Sequence, residues 1–279
     1  MFRPIFYIIF TLLRVRIVFQ VKNKGGFVPF HHQYLLAQLI KGMLVKGGQK
    51  EFIDYPFYNF SGLKGQTKIS RQGLHFYSRR VTLVVASNNK AFIDYFLRVL
   101  FTFPKVDIGN LMLAPEAVEL EDHPEITDAS RYICISPIVV LQPSLYDAEA
   151  KKFISPETDT FSDLLFESTI QRMEQSGEDP QKIEGIGKFQ LVPDEDYLNQ
   201  IRESQKKFAR IYPLYDQDLK YEIRGYTFPF VLYAPKVVQE FIFTCGLGQF
   251  CHKGFGMLDI ANADPSKRAV TYEFAETTA

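Results

Sequence analysis

Polar and apolar positions alternate over residues 14–22 (RVRIVFQVK), the two-residue period of a half-buried strand. Lys24, Gly25 and Gly26 read as a loop, Pro29 stands just ahead of a helical stretch over 31–45, and Gly47 and Gly48 end it. Short strands are expected over 57–60, 74–78 and 81–86. Asn88 is placed to cap a second helix over 90–100, where Phe92, Tyr95, Phe96, Val99 and Leu100 recur at helical spacing. Strand character returns over 106–113 and 117–120. This split βαβ order builds an antiparallel sheet with both helices on one face.

A second round begins with a strand over 132–141, followed by a helix over 160–175 and a polar, glycine-containing loop over 177–187. Strands follow over 208–212 and 221–233. Pro235 opens a helix carrying Val237, Val238, Phe241 and Ile242, and 257–261 makes a last strand. No close sequence repeat is visible, so duplication rests on element order alone. The expected division is an N-terminal extension over 1–13, a first domain over 14–130 and a second over 131–279. The apolar run 5–13 is far short of the roughly 20 residues that cross a bilayer. Arg14 and Arg16 follow it where a signal peptide would carry small residues. No membrane association is expected.

With 46% hydrophobic and 23% charged residues, the chain has too much apolar surface to remain disordered. Its 32 basic and 32 acidic side chains balance, but unevenly along the chain. Residues 1–113 hold 16 basic against 4 acidic side chains, 114–203 hold 7 against 20, and 204–279 hold 9 against 8. That distribution restores a polyanion as a candidate partner, attracted to the first part and repelled by the middle. Cys134, Cys245 and Cys251 cannot build a disulfide framework, which points to a reducing, cytoplasmic setting. Without a CxxC pair or a His/Asp/Glu cluster at ligand spacing, neither a metal nor a cofactor is expected.

The most specific local feature is the segment 246–256 (GLGQFCHKGFG), between a helix and a strand. Gly246, Gly248, Gly254 and Gly256 permit positive φ and close backbone approach. Successive amides in such a loop can cradle an anion, with His252 and Lys253 at the tip. The same glycines also suit a tight turn with no ligand.

These glycines fit the pattern Gly-φ-Gly-x5-Gly-φ-Gly, with φ apolar, and in this the chain resembles the CRISPR repeat-processing endoribonucleases of the RAMP superfamily. Residues 29–40 (PFHHQYLLAQLI), 58–63 (YNFSGL), 136–138 (SPI) and 225–230 (GYTFPF) keep the family's order over most of the chain. The resemblance implies an α+β fold of two ferredoxin-like (RRM-like) domains in tandem. It also implies cleavage of a CRISPR repeat transcript without metal, by attack of a ribose 2′-hydroxyl on the adjacent phosphate. The implied partners are CRISPR repeat RNA, with an interference complex and a second copy of the chain left open.

Such chemistry needs a proton acceptor, a proton donor and a cation. At about 100° per residue from His31, Gln38 falls near −20°, Tyr34 near −60° and Lys41 near −80°, one polar stripe. His32 falls on the apolar face and reads as a packed histidine. His31 is then the candidate base, with Lys41 and Lys64 as cationic catalytic groups. Family members commonly carry a histidine shortly before the motif matched by 58–63, but residues 49–57 (QKEFIDYPF) contain none. Either His31 replaces it, or Lys50, Tyr55 and Lys64 support slower cutting, or the chain only binds RNA. A duplicated scaffold for protein partners is the reading from another class. Expected RNA contacts are Lys68, Arg71, Arg79 and Arg80, interleaved with Tyr58, Phe60, Phe76 and Tyr77 as stacking rings, together with the glycine loop, His252 and Lys253. His75 reads as structural, and His123 as part of an acidic loop.

Overall fold

The computed structural model describes residues 13–142, 151–216, 219–261 and 269–272. The N-terminal extension expected over 1–13 lies outside them except for Leu13. The first unit comprises β1 (Leu13–Val21), β2 (Phe27–Val28), α1 (Gln33–Gly47), α2 (Lys50–Ile53), β3 (Tyr58–Phe60), β4 (Thr67–Ser70), β5 (Gly73–Phe76), β6 (Arg80–Ser87), α3 (Lys90–Phe101), β7 (Val106–Ile108) and β8 (Leu111–Glu121). Its antiparallel sheet runs β8-β1-β6-β3. That is the strand order of a ferredoxin-like fold. The period-two pattern of β1 sends Val15, Ile17 and Phe19 into a core with α1 (Leu36, Ile40, Met43) and α3 (Phe92, Phe96, Leu100). Each such side chain, fully buried, contributes about 1.5–3 kcal/mol. Strands β2, β5 and β4 form a separate small sheet.

The second unit repeats the order with β9 (Ala129–Cys134), β10 (Ile138–Val139), α4 (Asp159–Gln175), β11 (Gln190–Pro193), α5 (Glu195–Glu203), β12 (Ala209–Asp216), β13 (Leu219–Tyr226), β14 (Phe230–Tyr233), α6 (Lys236–Cys245) and β15 (Leu258–Ile260). The main sheet runs β11-β14-β9-β15, again ferredoxin-like, while β10, β13 and β12 make a second small sheet. The tandem ferredoxin-like expectation holds. A final strand, β16 (Ala269–Thr271), falls in the stretch assigned from sequence to the second domain but pairs with β8 of the first sheet.

Several boundaries differ for local reasons. Asn89, not Asn88, caps α3, its side chain accepting from the Phe92 amide at 3.2 Å. The strand expected over 106–113 is a hairpin turning at Gly109, whose φ is +59°. Residues 132–141 divide into β9 and β10, and 221–233 into β13 and β14, whose partners lie in different sheets. Pro137 and Pro229 stand in the two breaks, where a residue without an amide proton interrupts a ladder. β11 and α5 went unread because 190–203 is short and mostly polar.

The helix-free faces of the two main sheets meet through Val84 and Ala86 of β6 against Met257 and Ile135. Arg14 is enclosed there at 2% exposure. Its guanidinium donates to the Leu258 carbonyl at 2.7 Å, pairs with Glu121 at 2.8 Å and lies 4.8 Å from the Phe243 ring centre. Arg16 pairs with Glu121 at 2.7 Å and Glu119 at 3.3 Å. Part of the first domain's basic surplus is therefore taken up inside the molecule.

Candidate nucleic-acid interface

Helix α1 presents Tyr34, Gln38 and Lys41 along one stripe, as the wheel predicts, and this stripe forms one wall of a cleft of about 960 Å³. The 53–58 segment, residues 213–215 of β12 and the tip of the glycine loop complete it. Both halves of the chain thus contribute. Tyr34 packs on Tyr215 with ring centres 4.5 Å apart, and Lys253 Nζ donates to the Tyr215 carbonyl at 3.3 Å. His252 lies edge-on to Tyr58 at 6.4 Å between ring centres. Lys41, Lys46 and Lys253 line the cleft against a single carboxylate, Asp54. Lys41 Nζ donates to Asp54 Oδ1 at 2.6 Å and to the Ile53 carbonyl at 2.5 Å. The volume is at the upper end for ligand sites, and the charge suits an anion.

The glycine loop is built differently from the anion cradle expected of it. All four glycines have positive φ, between +71° and +89°. Their freedom serves packing: a Cβ at Gly254 would come within 2.6 Å of the Phe60 ring, and one at Gly256 within 2.0 Å of the Leu247 carbonyl oxygen. The Leu247 amide donates to Gly256, Gln249 to Val139, Lys253 to Phe250, Gly254 to Cys251, Gly256 to Pro137 and Gly246 to Ile242. These six amides are committed to the protein's own carbonyls, and the loop lines the cleft with Phe250, His252, Lys253 and Phe255. Arg172 of α4 holds the first arm, donating to the carbonyls of Gly246 at 2.8 Å and of Cys245.

The model for the family "CRISPR associated protein Cas6, C-terminal" matches residues 121–260, half of the chain and the whole of the glycine loop. The chain belongs to the Cas6 family. A CRISPR-associated endoribonuclease-like protein Cas6 of Pyrococcus furiosus is 22% identical over 255 residues, covering 89% of this chain and 98% of that protein. Two solved structures share the architecture. A Cas6-related protein of Pyrococcus furiosus superimposes with a TM-score of 0.74 at 21% identity, over 91% of this chain and all of that one. A RAMP protein described as binding different RNA substrates gives 0.73 at 19% identity, over 90% of this chain and all of that one.

In this Cas6-family chain the three expected catalytic groups do not converge. Lys41 is in the cleft. His31 sits just ahead of α1, edge-on to Tyr212 at 4.6 Å, and does not line the cleft. Burial, then the Arg210 guanidinium, hold it below the usual imidazole range. Lys64 bridges to Thr82 of β6, where partial desolvation and then Arg14 lower its ammonium. Its electrostatic neighbours are Arg14, Asp259, Glu121 and Arg16, whose side chains meet at the junction of the sheets.

His32 is a packed residue: Nδ1 meets the Pro29 carbonyl and Nε2 accepts from the Leu63 amide, both at 3.1 Å. Burial lowers its pKa. Of the four expected stacking rings, Tyr58, Phe60 and Phe76 are buried and only Tyr77 is exposed, at 60%. Lys68, Arg71 and Arg79 are exposed, whereas Arg80 pairs with Glu116 at 2.5 Å. The sequence reading missed Tyr34 and Tyr215 as a pair, and missed that His252 faces the Lys41 stripe. Position on the stripe marked Tyr34, but nothing local marked Tyr215, which arrives from the other half. Among the described residues, no helix is long and apolar enough to cross a membrane.

Proposed function

We propose that this chain binds CRISPR repeat RNA and cuts the precursor transcript in the cleft along α1, without metal, to give guide RNAs. One observation carries the reading: a histidine, four tyrosines and three lysines from both halves surround one cavity with one carboxylate. In the proposed step, His252 accepts the ribose 2′-hydroxyl proton. The freed oxygen attacks the adjacent phosphorus, and the bond to the 5′-oxygen breaks as that oxygen takes a proton from solvent or from Tyr34. The products are a 2′,3′-cyclic phosphate and a 5′-hydroxyl. Lys41 and Lys253 lower the energy of the charge that develops on the phosphate oxygens. His31, one turn before Tyr34, is kept as a secondary candidate for the proton transfer, and Lys64 as a more distant RNA contact.

A second reading is binding without cutting. It is favoured by the absence of a histidine in 49–57 and by the commitment of Lys41 to Asp54 and Ile53. Incubation with end-labelled repeat RNA in excess EDTA separates the two. Cut RNA carrying a cyclic phosphate supports the first, a shifted but intact band the second, and free RNA overturns both.

A further inference from the structure

The small sheet β2-β5-β4 stands at the N-terminal end of α1, and nothing in the cleft uses it. The register pairs Phe27 with His75 and His75 with Lys68, which puts these three side chains on one face. The Phe27 and His75 rings lie 5.1 Å apart with 32° between their planes. The Tyr77 amide donates to the Gln66 carbonyl, extending the ladder beyond β5. Two residues after His75, Tyr77 therefore falls on the same face, 60% exposed. His75 is held by both ring nitrogens, Nε2 to Ser70 Oγ at 2.8 Å and Nδ1 to the Gly25 carbonyl at 3.3 Å. Its ring plane is thereby fixed from the edges.

The surroundings share one sign of charge. Between Asp54 and Asp94 the sequence has no acidic residue, while Lys64, Lys68, Arg71, Arg79, Arg80 and Lys90 fall in that interval. No ion pair among the described residues takes up Lys68, Arg71 or Arg79. A row of rings flanked by unpaired cations fits a polyanion with planar groups to stack. A duplex hides its base faces, and an acidic peptide brings no such planes.

We propose that the face formed by Phe27, His75 and Tyr77, with Lys68 and Arg71 beside it, is a stacking surface for unpaired RNA nucleotides, separate from the cleft. It rests on the reading of the chain as an RNA-binding protein and adds where, and in what form, a second stretch of the RNA is held. Sequence preference is weak there, because every base has a face to stack.

The test uses the full chain and a fluorescent oligouridylate of about twelve nucleotides, a length typical of single-strand sites. A blunt RNA duplex of the same length is the control, and fluorescence anisotropy gives the affinity. Tyr77 is exposed, so Tyr77→Ala leaves the core intact, and Tyr77→Phe keeps the ring. The alanine variant should bind oligouridylate at least about fivefold more weakly, the phenylalanine variant within about twofold of wild type, and the duplex should discriminate little between them. Failure of the wild type to bind oligouridylate, equal affinity of Tyr77→Ala and wild type, or equal losses on the single strand and the duplex would each overturn the proposal. Because the assay needs no cutting, it stands or falls independently of cleavage in the cleft.

Discussion

Replacing His32 by alanine removes the acceptor for the Leu63 amide and the donor to the Pro29 carbonyl, each bonded at 3.1 Å. Leu63 is 8% exposed, so its amide finds little water once the imidazole is gone. A buried unsatisfied backbone group costs about 1–3 kcal/mol. Pro29 is only half-buried and its carbonyl can be rehydrated, which keeps its share near the bottom of that range. The cavity left by the ring adds about 1 kcal/mol. Together these predict a loss of about 3 kcal/mol for His32→Ala. His31→Ala removes a partly exposed edge contact with Tyr212 and should cost about 1 kcal/mol or less. With no tryptophan in the chain, urea unfolding is best followed by far-UV circular dichroism, comparing midpoints and slopes. If His32→Ala unfolds within about 0.5 kcal/mol of wild type, or His31→Ala is the more destabilised, the assignment of His32 as a packing residue is wrong.

The pH dependence of stability follows from the same residue. Its folded pKa lies below the ordinary 6.5, so the unfolded chain binds the proton more readily and stability falls as pH drops below about 6.5. His31 adds to the effect in the same direction. In His32→Gln the fall in urea midpoint between pH 7.5 and 5.5 should be smaller than in wild type; an unchanged fall would remove His32 from the account. For Gly254→Ala, a left-handed φ of +89° and a Cβ within 2.6 Å of the Phe60 ring predict a loss of about 2–5 kcal/mol, seen as a lower melting temperature. A variant as stable as wild type would mean the loop does not pack as described. Arg14→Leu leaves Asp259 without its guanidinium and Glu121 with Arg16 alone, and should cost about 3–5 kcal/mol. Adding Glu121→Gln should recover part of that loss in the same melting experiment.

How far the sequence reaches depends on whether a signal is local. The alternation in β1, the stripe on α1 and the spacing in α3 each report one element's own face, and all three predicted it. The glycine pattern named the loop, but which partner takes each amide is a tertiary fact. Val139 and Pro137, which accept from Gln249 and Gly256, lie more than 100 residues earlier, and no spacing within 246–256 discloses them. The charge count misled in detail for a similar reason. Arg14 and Arg16 look like free cations in the sequence, yet they sit on the helix-free face of β1, opposite carboxylates of β8 and β15. The aromatic rings of 58–77 were ambiguous between core and surface, and β3 placed Tyr58 and Phe60 under α1 and the glycine loop. Only Tyr77, past the end of its strand, was left outside.

The most direct measurement is the single-turnover rate of repeat-RNA cutting at saturating protein, in EDTA, for wild type and His252→Ala. General acid–base groups typically contribute a factor of about 100 to 10,000. The account predicts a fall of at least about 100-fold for His252→Ala, with the RNA still bound. Equal rates for the two proteins would contradict it, and would move the chemistry away from the α1 cleft.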